Sequence, residues 1–202
     1  DGFDAGEPLG ALRFWLPVIS CLHGMISSEI IQLGPDTVVK HPDHDILCFV
    51  VTNAGGRRVK TDARKRWVPI RREILDLGLM DLVEAARTKG WKTLWAAVDV
   101  RGANSEEVSQ SFSPYWSAFT RDTIGITDPK KVLYSFRHTF KDRLTKRGAS
   151  ETEQNQLMGH AEAGMAKRYG TKVEPKPVDI VRLDQLVQSI DWAFLKTIGR
   201  AS

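Results

Sequence analysis

The stretch YSFRH sets a phenol, Tyr134, and a guanidinium, Arg137, three residues apart at the start of a helical pattern, which puts them on one helix face. Further on, LMGHAEAGMAKRYG places His160 directly after a glycine stop and Tyr169 nine residues later. Lys60 lies in a basic stretch upstream. A guanidinium gives planar, two-pronged recognition of a phosphate. An imidazole can donate to a non-bridging oxygen, and a lysine can protonate a leaving oxygen. A tyrosine hydroxyl can form a covalent intermediate. Together these groups suit metal-free transesterification of a phosphodiester. Each also has a plainer reading: a salt-bridged Arg, a capping His, a packing Tyr. Spacing alone leaves the two open.

The elements that must position these residues can be read from the pattern. Residues 9 to 33 are apolar at helical spacing, interrupted at Gly24 and stopped at Gly34-Pro35, with Ser27 or Ser28 as the expected cap of the second helix. ILCFVVT, Ile46 to Thr52, reads as a buried strand, and Asn53-Ala-Gly-Gly as a turn. Arg57 to Thr61 and Arg66 to Ile70 are expected as two further strands, completing a meander with a basic rim. Two helices then end at Gly78 and Gly90. Ser105 to Gly125 is expected to be helical with a break or fresh start at Pro114.

Ser135 to Gly148 forms a strong helix with Phe136, Phe140 and Leu144 as its buried stripe. Ser150 and Glu153 make a capping box for the next helix, which stops at Gly159. A short helix should carry Met165 to Tyr169, and a last amphipathic helix should run from about Ile180 to Leu195. The expected fold is mainly α with a small three-stranded antiparallel sheet, an α+β arrangement, in a single domain over residues 1–202.

Bulk properties narrow the class. The chain carries a net charge of +4 with a pI near 9.1, mildly basic and compatible with nucleic acid. The charge is concentrated between Gly55 and Arg72, where Lys and Arg crowd around a single acid, Asp62. There Arg64 and Arg66 are the expected DNA-binding residues, on a rim that contacts phosphates. No apolar run reaches membrane-spanning length, so no membrane partner is expected. The first residues lack a signal-peptide pattern. They also lack an initiator Met, which suggests a piece of a longer chain. Cys21 and Cys48 read as buried free thiols, suited to a reducing cytoplasm, with one disulfide as the alternative. His41 and His44 with Asp43 and Asp45 suggest a metal cluster, yet further ligands at suitable spacing are missing. A solvated turn is the better reading.

The ordered segments resemble the catalytic domain of the tyrosine recombinases, the phage integrase family. The resemblance covers about Trp15 to Leu186. VLYSFRHTFKDRLTKRG is similar to the family's His-x-x-Arg-His-Thr-Phe box, and LMGHAEAGMAKRYG to its Leu-x-Gly-His box and nucleophilic tyrosine. VKTDARKRWVPI is similar to the hairpin with the catalytic lysine. The resemblance implies that Tyr169 attacks the scissile phosphate to give a 3′-phosphotyrosyl link. Arg137 and His160 would stabilise the phosphorane-like transition state, and Lys60 would protonate the 5′-oxygen. Tyr134 replaces the usual His of the box. Duplex DNA is the implied partner, with self-association into a tetramer on it and no cofactor. The family's N-terminal clamp domain is expected to lie outside this stretch, and residues 178–202 are expected either to exchange between protomers or to fold back on their own chain.

One departure bears on activity. In LHGMISSEIIQL, Gly24 and Glu29 match the family's first-arginine segment, but Ile26 stands where the arginine belongs and His23 is displaced by three residues. Losing one preorganised donor costs roughly 3–4 kcal/mol, or ~10²–10³ in rate. Impaired strand transfer is therefore expected. The alternatives are a catalytically inactive DNA-binding homologue and a type IB topoisomerase-like nicking-closing enzyme. Arg137 and His160 should in any case point into one basic concavity.

Overall fold

A computed structural model describes residues 9–59, 61, 64–99, 104–160 and 178–196. Helix α1 (Leu12–His23) is the central element. Leu12, Leu16, Ile19 and Leu22 recur at helical spacing and are fully buried. Each such side chain contributes about 1.5–3 kcal/mol by leaving water. The helix stops at Gly24 in the left-handed conformation, φ 64°. Helix α2 (Ser27–Ile31) follows, and its cap comes from neither expected serine. Glu29 reaches back instead, and the Ile26 amide donates to its carboxylate at 3.2 Å.

Strands β1 (Val38–Lys40), β2 (Leu47–Val51) and β3 (Arg66–Pro69) form the antiparallel sheet in that spatial order. Val38 pairs with Phe49, and Val51 with Arg66. The strand count matches expectation but one member does not. No described residue of Arg57 to Thr61 is in a strand, and Val38–Lys40 supplies the third one. The cause is Gln32. Its side chain accepts from the Arg58 amide at 2.7 Å and donates to the Arg58 carbonyl at 3.1 Å. Arg57 is held by Asp36 and by the Gln32 carbonyl at 2.9 Å. The polar groups a ladder would use are thus taken up by a side chain.

Helices α3 (Arg72–Asp76), α4 (Leu79–Thr88) and the short α5 (Ala96–Asp99) lead to α6 (Ser105–Ala118). Helix α6 runs through Pro114 without the expected break, then widens into a π-helical turn at Phe119–Thr123. Pro114 and Gln110 lie on the exposed face, so water can satisfy the carbonyl that proline leaves unbonded. Helices α7 (Ser135–Lys146) and α8 (Glu151–Met158) complete the scaffold, with Ser150 and Glu153 capping α8 as the sequence indicated.

Helix α9 (Ile180–Ser189) is shorter than expected and lies on its own chain, against β3. Arg71 fixes it by donating to the Val187 and Ile190 carbonyls, both at 2.7 Å. Cys21 and Cys48 are free and buried, and burial raises both thiols to about 12. Among the described residues no helix is long and apolar enough to cross a membrane.

Candidate functional site

The site begins where α1 and α7 pack closest. A side chain at Gly24 would collide with the Phe140 ring, so glycine serves both the left-handed turn and the close approach. That approach brings the Gly24 carbonyl onto Arg137, one turn before Phe140. Arg137 Nη1 donates to Gly24, and Nη2 donates to the Met158 carbonyl. Arg137 Nη2 also lies 2.9 Å from His160 Nε2. Only 2% of Arg137 is exposed.

Helix α8 delivers His160. It ends at Gly159, φ 66°, and the His160 amide donates to Asn155 at 2.9 Å. A Cβ at Gly159 would come within 2.6 Å of Arg66 Nη1 and 3.1 Å of Arg64 Cα. The absent side chain therefore lets the segment entering β3 lie against Gly159, the residue before His160. Arg66 Nε donates to the Leu157 carbonyl at 2.9 Å and closes this side.

Arg66 and Glu29 form a two-pronged ion pair, with both contacts at 2.9 Å and side chains 3% and 4% exposed. Burial pushes the Glu29 carboxyl up, but the hydrogen bonds and charge of Arg66 outweigh it and hold the pKa below the usual range. His160 is held below its ordinary value by burial, then by Arg137, Lys141, Arg64 and Arg66. A neutral imidazole accepting from Arg137 at Nε2 carries its proton on Nδ1. The arrangement is a neutral donor ringed by fixed positive charge, which suits a phosphate group.

Arg137 and His160, 23 residues apart in sequence, therefore meet as expected. Tyr134 flanks α7 but is 51% exposed, with its ring edge-on to His138 at 5.1 Å, and is not among Arg137's hydrogen-bond partners. Lys60 and Tyr169 lie outside the described residues. Arg66 corrects an expectation. It was to contact DNA from the rim, but it is turned inward because Glu29 and Leu157 capture its guanidinium. Strand alternation carried that signal: Arg66 shares parity with Val68 and Ile70, both buried. Ile26 is half-buried at the start of α2.

His23 takes no part in this cluster. It is fully buried edge-on to Phe49, accepts from the Arg71 amide at 3.1 Å, and lies 3.3 Å from the Ile19 carbonyl. Burial first, then the Arg71 charge, lowers its pKa to about 3, against smaller opposing effects of Ile19 and Glu73. The folded chain therefore refuses a proton that the unfolded chain accepts below about pH 6.5. Stability contributed by neutral His23 is full above that pH and falls as pH drops toward 3. His23→Gln should reduce the slope of stability against pH below 6.5 by up to ~1.4 kcal/mol per unit. Urea midpoints at pH 7, 6 and 5 check this; an unchanged slope would contradict it.

Comparison with protein-family models, curated proteins and solved structures finds no match to this chain. His41 and His44 have rings 5.5 Å apart, with His41 also against Trp67. Among the described residues no group of three His, Cys, Asp or Glu is placed to hold a metal.

Proposed function

We propose that this chain is a DNA strand-transfer domain of the tyrosine recombinase type, acting on duplex DNA through Tyr169. The observation that carries the reading is the Arg137–His160 contact at 2.9 Å, set among the charges of Arg64, Arg66 and Lys141. In the proposed reaction the Tyr169 oxygen bonds to phosphorus and gives up its proton to solvent water. The bond from phosphorus to the 5′-oxygen breaks, and Lys60 protonates that oxygen. Arg137 and the Nδ1–H of His160 meet the non-bridging oxygens. Fixed guanidinium charge does the work a metal would otherwise do, so the proposal includes no cofactor. The proposed setting is the cytoplasm, where Cys21 and Cys48 stay reduced, and the proposed assembly is a multimer on DNA.

A second reading, a DNA-binding homologue without catalysis, is favoured by the near-complete burial of Arg137 between two carbonyls. A nicked suicide duplex separates the two. Strand transfer gives a covalent protein–DNA adduct on a denaturing gel that Tyr169→Phe abolishes. Binding without adduct supports the second reading, and relaxation of supercoiled plasmid at no fixed site points to a topoisomerase. In both DNA-binding readings affinity should fall steeply between 50 and 200 mM salt, by ~10³-fold if about six phosphates are met. A flat salt response would exclude phosphate-dominated binding.

A further inference from the structure

We infer that Arg64 supplies a second guanidinium to this site, one that is open in hydrogen bonding and meets a non-bridging oxygen of the bound phosphodiester beside Arg137. The inference rests on the strand-transfer reading above. Arg64, Arg66 and Arg137 cluster around Glu29 and His160, and a guanidinium offers five N–H donors. Arg66 commits four of them: Nε to Leu157, Nη1 to Glu29 and the Arg64 carbonyl, Nη2 to Glu29. Arg137 commits three, to Gly24, Met158 and His160, and its Nε is buried without a partner. The Arg64 side chain differs from both. Its polar contact among the described residues is Nη1 to Glu29 Oε1 at 3.9 Å, too long for a hydrogen bond, and it remains 23% exposed.

The Arg64 backbone is held in place. Its carbonyl accepts from Arg66 at 2.8 Å, and its Cα lies against Gly159, the residue before His160. The backbone at Arg64 is therefore fixed in location, while its head group is open in hydrogen bonding among the described residues. Its location is also informative. Glu29 accepts from the Ile26 amide through Oε2 and faces Arg64 through Oε1. One carboxylate thus joins the start of α2 to the Arg64 head group. Arg64 therefore stands near the start of α2, where Ile26 lies. Arg66 already neutralises Glu29, so the charge of Arg64 remains available to a ligand. Arg64 also contributes to the lowered pKa values of His160 and Arg137, in keeping with its closeness to both.

The test uses the full chain and the suicide duplex, measuring adduct formation in a single turnover at saturating DNA alongside the DNA dissociation constant. Arg64→Ala should slow adduct formation ~10²-fold while weakening binding no more than about threefold. Arg64→Lys should recover only a small part, since an ammonium lacks the two-pronged geometry. Ile26→Arg should restore most of the loss in the Arg64→Ala background, yet gain at most a few-fold in the native chain. Thermal midpoints should be unchanged for Arg64→Ala, because its head group makes no hydrogen bond among the described residues. An unchanged adduct rate overturns the role of Arg64 alone. So does a rate loss that equals the binding loss, which would make Arg64 an ordinary phosphate contact. A native chain that forms no adduct overturns the strand-transfer reading and the role of Arg64 with it.

Discussion

Glu29→Ala is expected to cost about 3–5 kcal/mol of folding stability, one of the two largest effects of any single change considered for this chain. The substitution leaves Arg66 buried with its charge unpaired and removes the acceptor for the Ile26 amide. Glu29→Ala with Arg66→Met should be far less destabilised than Glu29→Ala alone, since the unpaired charge is then gone. Urea unfolding of the two single variants and the pair measures this. A loss below 1 kcal/mol for Glu29→Ala would show that water reaches Arg66. Because Glu29 is held below its unfolded pKa, its contribution is complete above about pH 4.3 and is lost as pH falls through the folded value.

The second large effect belongs to Arg137. Arg137→Lys keeps the charge, but one ammonium cannot span the Gly24 carbonyl, the Met158 carbonyl and His160 together. Adduct formation on the suicide duplex should fall by ~10²–10³-fold. Stability should fall as well, by ~1–3 kcal/mol for each buried carbonyl left without a donor. A further readout separates electrostatics from packing. In Arg137→Met the His160 pKa should rise, because burial and the remaining cations still depress it but the Arg137 charge is gone. An NMR titration of His160 reports this. A folded Arg137→Lys that forms adduct at the native rate would assign the guanidinium to architecture alone.

Much of the scaffold was legible because it depends on local chemistry. The stops at Gly24 and Gly159, the Ser150–Glu153 cap and the Phe140–Leu144 stripe on α7 are short-range signals, and each stands where the pattern put it. The third strand was misplaced because a side chain, Gln32, took up the backbone groups of Arg58. No periodicity can show a competition between residues 26 positions apart. In the site, the meeting of Arg137 and His160 followed from two motifs. The inward turn of Arg66 did not, because the dense positive charge of that stretch implies a solvated face while strand parity points inside. Glu29 aligned with a motif, but its place as the carboxylate that binds Arg66 and faces Arg64 appeared only in three dimensions.

The bonds that define the site join distant parts of the chain: Glu29 to Arg66 across 37 residues, Arg66 to Leu157 across 91, and Arg137 to Gly24 across 113. Closing loops of that length is entropically costly and comes after helices and hairpins have formed. The cluster is therefore expected to close late in folding, after the main barrier. Weakening it should hasten the escape from the native state while leaving the rate of reaching it nearly unchanged. The same residues that gather the charge would then also set how long a folded molecule lasts.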